Sequence, residues 1–321
     1  MANRSDYVKQ IAAILGKDKA VALQAIEARV ASRIEGLGGR CVSVTVGNAE
    51  HRFSEHPIDW TPRFLAFIRG KSSYQGSAIT TPVVAVAVDA VVEELQKYCE
   101  QRTPEITETA VRYIVEDATI REALVTSITT NTIAKAATMG VTTIAGNRIR
   151  ALIVPSIAST VGSLSGTVAG KMVLKQVALH SKVIVGHLLA SKAFMAMLHG
   201  ALTHALMAGV VAVTVHLAAT VFGGKIAALA AGFVPVLGHA IALGIVVWIG
   251  HELLTFPRKL GHEVAKGIRG TLDGQFEKTT HDIADKIVAT LEAELGKLAM
   301  AVVMDAGFLD SVLDSSETFQ T

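Results

Sequence analysis

Between Glu122 and Glu252 the chain runs for 129 residues without one aspartate or glutamate, although the full sequence of 321 residues carries 28 acids. The same stretch, residues 123 to 251, holds Lys135, Arg148, Arg150, Lys171, Lys175, Lys182, Lys192 and Lys225, a charge of +8. The remaining residues set 22 cations against 28 acids, so a net charge of +2 conceals a block at +8 and flanks at −6. A carboxylate is costly in hydrocarbon and repelled by anionic headgroups, whereas lysine can lay its stem along apolar surface and keep its ammonium in water. A chain patterned this way must either bury a very large apolar segment in protein or share it with a bilayer.

Composition favours the second solvent. Half of the residues are apolar and the mean hydropathy is +0.44, above what one aqueous core of this size requires. Aromatics make up only 5%, unlike permanent multispan proteins with their Trp and Tyr belts, which points to conditional insertion. The opening residues, MANRSDY, lack a charged-then-apolar secretory signature, so the expected location is cytoplasmic to membrane-associated. Cys41 and Cys99 have no CxxC partner and read as free thiols rather than as a disulfide or metal site.

The expected fold class is mainly α, with soluble amphipathic helices around a long hydrophobic helical segment. Three regions follow: a mainly helical regulatory domain over 1–122, the acid-free membrane-inserting block over 123–251, and an amphipathic helical region over 252–321. In the first, Ile11, Ile14, Ala22, Ile26, Val30 and Ile34 recur at helical spacing, in one helix or two broken at Gly16, with Gly36, Gly38 and Gly39 ending the pattern. Val42, Val44 and Val46 alternate with Ser43 and Thr45, the mark of a small β element near residues 41–47. His51 to Thr81 reads as a loop around Phe64 to Ile68. Thr81–Pro82 and Thr103–Pro104 are each expected to open a helix, running to Cys99 and Leu124.

Within the block three windows carry no charge, 151–170, 193–224 and 226–251, of 20, 32 and 26 residues. A helix needs roughly 20 to cross the hydrocarbon core, so up to three crossings fit, with Pro235 and Gly238 able to bend the last into a re-entrant hairpin. Pro257, Arg258 and Lys259 mark the exit, after which Ile283, Ile287, Leu291, Leu295, Leu298 and Val302 form an apolar stripe expected to pack on the N-terminal helices.

Three constellations are candidates for function. Gly162, Gly166 and Gly170 fall at i, i+4 and i+8, a spacing that lets helices approach closely in lipid and marks a helix-packing or oligomer seam. Tight packing in a soluble bundle, or a Gly/Ser linker after Pro155, explains them equally. Lys171, Lys175 and Lys182 project within about 40° of one another on a helix and suit headgroup binding, although a solvated face is the usual source of such a run. Eight of the eleven histidines lie between His180 and His262. Imidazole gains charge near pH ~6.5, so His180, His187, His199, His204, His216 and His239 form a candidate pH switch. The plain alternative is that each is a hydrogen-bonded interior or interfacial histidine. On the helix that carries the lysines, His180 and His187 fall opposite them, near Val173, Val177 and Ile184.

No nucleotide-binding GxxxxGK[ST], GxSxG elbow, HExxH or CxxC occurs in the sequence, and the block offers no orienting carboxylate, so no catalytic residues, cofactor or metal are expected. Aromatics do not interleave with the lysines, so nucleic acid is not the expected partner. Soluble helices around a long apolar helical segment, over roughly residues 125 to 260, resemble in architecture the α-helical pore-forming proteins, colicin-type channel domains and apolipoprotein-L-like proteins among them. The resemblance implies a membrane-inserting protein that permeabilises or remodels a bilayer as an oligomeric pore-forming effector or toxin, with an anionic lipid membrane as partner. Two alternatives stay open: a constitutive integral membrane scaffold or transporter subunit, and a soluble Ala-rich helical bundle acting as an interaction protein.

Overall fold

The computed structural model describes residues 3–46, 72–138, 168–218, 220, 238–305 and 307–308. Their backbone forms nine helices and no strand. These are α1 (Arg4–Gly16), α2 (Lys19–Val46), α3 (Ser72–Gln101), α4 (Thr103–Glu116), α5 (Ala118–Thr138), α6 (Val168–Leu189), α7 (Lys192–Ala218), α8 (Gly238–Ala293) and α9 (Leu295–Met304). Gly162 and Gly166 of the glycine ladder lie outside the described residues; Gly170 is buried near the start of α6.

Several boundaries differ from those read in the sequence. Residues 41–46 are helical and belong to α2, which also runs through Gly36, Gly38 and Gly39, so the expected β element is corrected to helix. Once a helix is nucleated each further residue adds a backbone bond, and a short run of alternating valines does not outweigh that propagation. Helix α3 starts at Ser72 and passes through Pro82 rather than opening at it. In the same way α8 passes through Pro257, where the helix loses a backbone bond at a cost of about 3 kcal/mol or more. Buried Phe256 and Leu260 hold the chain on either side. The helix opened at Thr103–Pro104 ends at Glu116, because the Asp117 carboxylate accepts from the amides of Thr119 and Ile120 and starts α5. The first pattern is two helices: α1 is held by a capping box between Asn3 and Asp6, and Asp18 adopts a positive φ of 55° before α2.

The chain divides into two compact units that interleave along the sequence, one of residues 1–17, 99–191 and 277–321, the other of 18–98 and 192–276. In the first, α9 packs on α5 and α6, and α4 packs on α1, α5 and α6. The expected stripe from Ile283 to Val302 is buried throughout. Arg4 bridges Asp285 at 2.7 Å and Glu292 at 3.0 Å, and the Tyr113 hydroxyl donates to the same Glu292. The Tyr7 hydroxyl donates to Glu116 at 2.9 Å, and burial, aided by that bond, pushes its phenol up to about 12. Lys135 donates to the Val303 carbonyl at 2.7 Å, which ties the end of α5 to α9.

In the second unit Glu93 of α3 accepts from Arg29 and Arg33 of α2 at 2.9 and 2.8 Å. Arg269 of α8 pairs with Glu27 of α2 at 2.6 Å. Two turns away Gly261 meets α2 directly: a Cβ there would lie 2.7 Å from the Ala31 carbonyl oxygen, so the two backbones can approach this closely only because position 261 has no side chain.

The buried positions follow a four-residue spacing. One such line runs through Ala22, Ile26, Val30 and Ile34 in α2, with Leu23 beside it; through Val83, Ala87, Val91, Leu95 and Cys99 in α3, with Val84, Val88, Ala90 and Val92 beside it; and through Val173, Val177, Ser181, Val185 and Leu189 in α6. In α8 the line Phe256, Leu260, Val264, Ile268, Leu272, Phe276, Thr280, Ala284 and Val288 is buried at every step. At 3.6 residues per turn, four residues overshoot a full turn by about 40°, so the contact line drifts round each helix in the sense opposite to a heptad seam.

Candidate functional site

Helix α7, like α6, keeps the same spacing with one buried residue per turn: Phe194, Leu198, Leu202, Leu206, Val210 and Thr214. By contrast α8 adds Gly261 and Ala265 beside its line and buries a broader face. The consequence for α7 is a narrow attachment. Ala193, Ala196, Gly200, Ala201, Ala208, Gly209 and Ala212 are exposed, as is Met207 at 46%. Lys192 is the single Lys, Arg, Asp or Glu in its 27 residues. Among the described residues this is the one helix long and apolar enough to cross a membrane, over Lys192–Thr214, and only 22% of its most apolar 18-residue window is buried. Its 23 residues span about 35 Å at 1.5 Å per residue, against a hydrocarbon core of about 30 Å.

The narrow attachment includes a polar flaw. The Thr214 hydroxyl is buried and makes no hydrogen bond among the described residues, and the same is true of Ser181 in α6. A buried unsatisfied hydroxyl costs roughly 1–3 kcal/mol.

The cationic edge of α6 is exposed as expected, with Lys171, Lys175 and Lys182 all facing out. Large apolar residues share that face, Val168 at 70%, Leu179 at 54% and Val183 at 44% exposed. Lysines set around exposed Leu and Val are the arrangement by which an amphipathic helix lies in a headgroup layer.

The histidines are not gathered at one place. His180 is half-buried and His187 exposed, both bordering a groove of about 350 Å³ with Ser191, Thr290, Glu294 and Lys297. His199 is exposed on α7 with its Nε2 3.3 Å from the Asp89 carboxylate of α3. His204 is exposed on α7. His239 belongs to the backbone of α8. His216 joins a larger cleft of about 800 Å³ formed by the end of α7 and the segment Arg258 to Glu263 of α8. In the sequence Arg258 and Lys259 read only as the exit from the apolar block and His262 as the end of the histidine-dense stretch; their place beside His216 depends on a long-range pairing that no local pattern announces. Among the described residues no three or more His, Cys, Asp or Glu side chains group as metal ligands would. Compared with protein-family models, curated proteins and solved structures, the chain matches none of them.

Proposed function

We propose that this protein inserts α7 into a lipid bilayer and, by self-association of the inserted helices, permeabilises it. The observation that carries the reading is that the one helix of bilayer length among the described residues is left mostly uncovered, in a stretch kept free of carboxylates. Its outward Ala and Gly residues support close helix-to-helix approach in lipid, where packing rather than hydrophobic exclusion drives association. The lysine face of α6 supports a first, superficial contact with anionic headgroups. The buried line from Phe194 to Thr214 favours conditional over constitutive insertion, since it describes a helix docked in an aqueous packing from which it must leave.

The test uses flotation of the full chain with vesicles of phosphatidylglycerol and phosphatidylcholine, scanned from pH 7.5 to 5. Trp60 and Trp248 are replaced by phenylalanine, and Met207→Trp supplies a reporter at an exposed position. Quenching of that indole by lipids brominated deep in the acyl chain, with release of an entrapped dye, is the expected result. A monodisperse aqueous protein that neither floats nor is quenched at any pH refutes the proposal in favour of the soluble bundle.

A further inference from the structure

We infer that the cleft at the C-terminal end of α7 is a binding site for the headgroup of an anionic phospholipid; this rests on the insertion reading above. The cleft arises from how α7 and α8 pair. They run antiparallel: a Cβ on Gly209 would lie 3.7 Å from the Thr271 hydroxyl and one on Gly267 would lie 3.4 Å from Val213, both at ordinary contact distance. One four-residue step further on, that register sets Leu217 of α7 against Glu263 of α8, and there the helices enclose about 800 Å³.

Each helix contributes one face. From α7 come Ala212, Val213 and Leu217, with His216 at the rim; from α8 come Arg258, Lys259 and His262, with Glu263 the single acid. Phe256 and Leu260, at 4% and 0% exposure, anchor the α8 segment in the core, which fixes the direction in which the neighbouring cations project. The volume is in the range of small-ligand sites. An apolar wall beside two permanent cations suits a molecule that is anionic at one end and hydrocarbon at the other. Inorganic phosphate would use only the cations, and a neutral hydrocarbon only the wall. The insertion reading selects among anionic amphiphiles: the cleft exists while α7 is docked on α8, just past the end of the membrane-length segment at Thr214, so it would hold a phospholipid headgroup at first contact, before α7 leaves. The phosphodiester would then lie against Arg258 and Lys259, with the glycerol and first methylenes along Val213 and Leu217.

The experiment compares the full chain with Arg258→Gln/Lys259→Gln in flotation on phosphatidylglycerol-containing vesicles and on pure phosphatidylcholine, with the indole at position 207 reporting insertion in parallel. The expected result is binding about thirtyfold weaker on the anionic vesicles, from two cations near an anionic leaflet. No change is expected on phosphatidylcholine, and quenching of the bound fraction is retained. Unchanged affinity on anionic vesicles overturns the assignment. So does an equal loss from Lys278→Gln/Lys286→Gln, elsewhere on α8, which would mean general charge suffices. Abolition of the difference by millimolar inorganic phosphate at constant ionic strength would assign the cleft to free phosphate instead. Absence of quenching of the indole at position 207 on both vesicles, with Arg258 and Lys259 intact, is a separate outcome: it removes the insertion reading, and this inference with it.

Discussion

A carboxylate placed near the middle of α7 separates water from hydrocarbon as the medium of that helix. Ala201 is exposed and two residues from the centre of the 23-residue segment, so Asp at 201 stays solvated in the aqueous form. There Ala201→Asp costs only the difference in helix propensity, up to about 0.7 kcal/mol, and does not disturb the core. At the centre of a bilayer the same residue costs about 3 kcal/mol, equivalent to about a hundredfold in the partition constant. A His204→Gln background keeps an imidazole one turn away from pairing with the new acid, and Ala201→Leu provides the apolar control. Urea melts should superimpose within about 1 kcal/mol, while vesicle partitioning of the Asp variant drops about a hundredfold and that of the Leu variant does not. Equal partitioning of the three proteins would refute the reasoning, because α7 would then never have met hydrocarbon.

Other outcomes follow from the packing. Gly261→Ala should destabilise by about 1–3 kcal/mol, since the added methyl meets the Ala31 carbonyl. Gly270→Ala, with open space around its Cβ, should stabilise by up to about 1 kcal/mol, and the opposite signs in urea unfolding are the check. Thr214→Val removes the buried unpaired hydroxyl and should stabilise the fold by about 1–2 kcal/mol, read as a higher melting temperature, while reducing vesicle partitioning by holding α7 in its dock. Hydrogen bonds from Arg29 hold Glu93 below its ordinary 4.5, and those from Lys17 do the same for Glu105. For a lowered carboxylate the contribution to stability is whole above the unfolded value, about 4.5, and is lost as pH falls through the folded one. Thermal melts from pH 6 to 3 should therefore decline below about 4.5, and less steeply in Glu93→Gln. Burial pushes the Cys99 thiol up to about 12, so in a Cys41→Ser background Cys99 should resist thiol reagents until urea unfolds the chain; rapid labelling in buffer would contradict its burial.

The helical class and the core stripes were legible because they rest on spacing, which one chain displays by itself. Ile26, Val30 and Ile34, and the series from Ile283 to Val302, are buried as their periodicity required. Punctuation misled where packing outweighed local preference. Pro82, Pro257 and the glycines near position 38 lie within helices, because a penalty at one residue is small against the propagation and burial of a long segment. The true break at Asp117 was missed because its cap competes with continuous apolar periodicity on both sides. Of the candidate site, α7 announced itself through the missing acids. The cleft did not, since His216 and His262 line it from segments far apart in sequence.

The four-residue spacing of the buried positions limits how such a helix can change length. Adding one residue early in α7 would swing everything beyond it by about 100° and present Ala201 and Ala205 where Leu202 and Leu206 had been. Adding four would restore nearly the same facing one turn further along. Natural or designed variants of this chain should therefore lengthen or shorten α7 in quanta of four, and the reach of the helix across a bilayer should change in steps of about 6 Å.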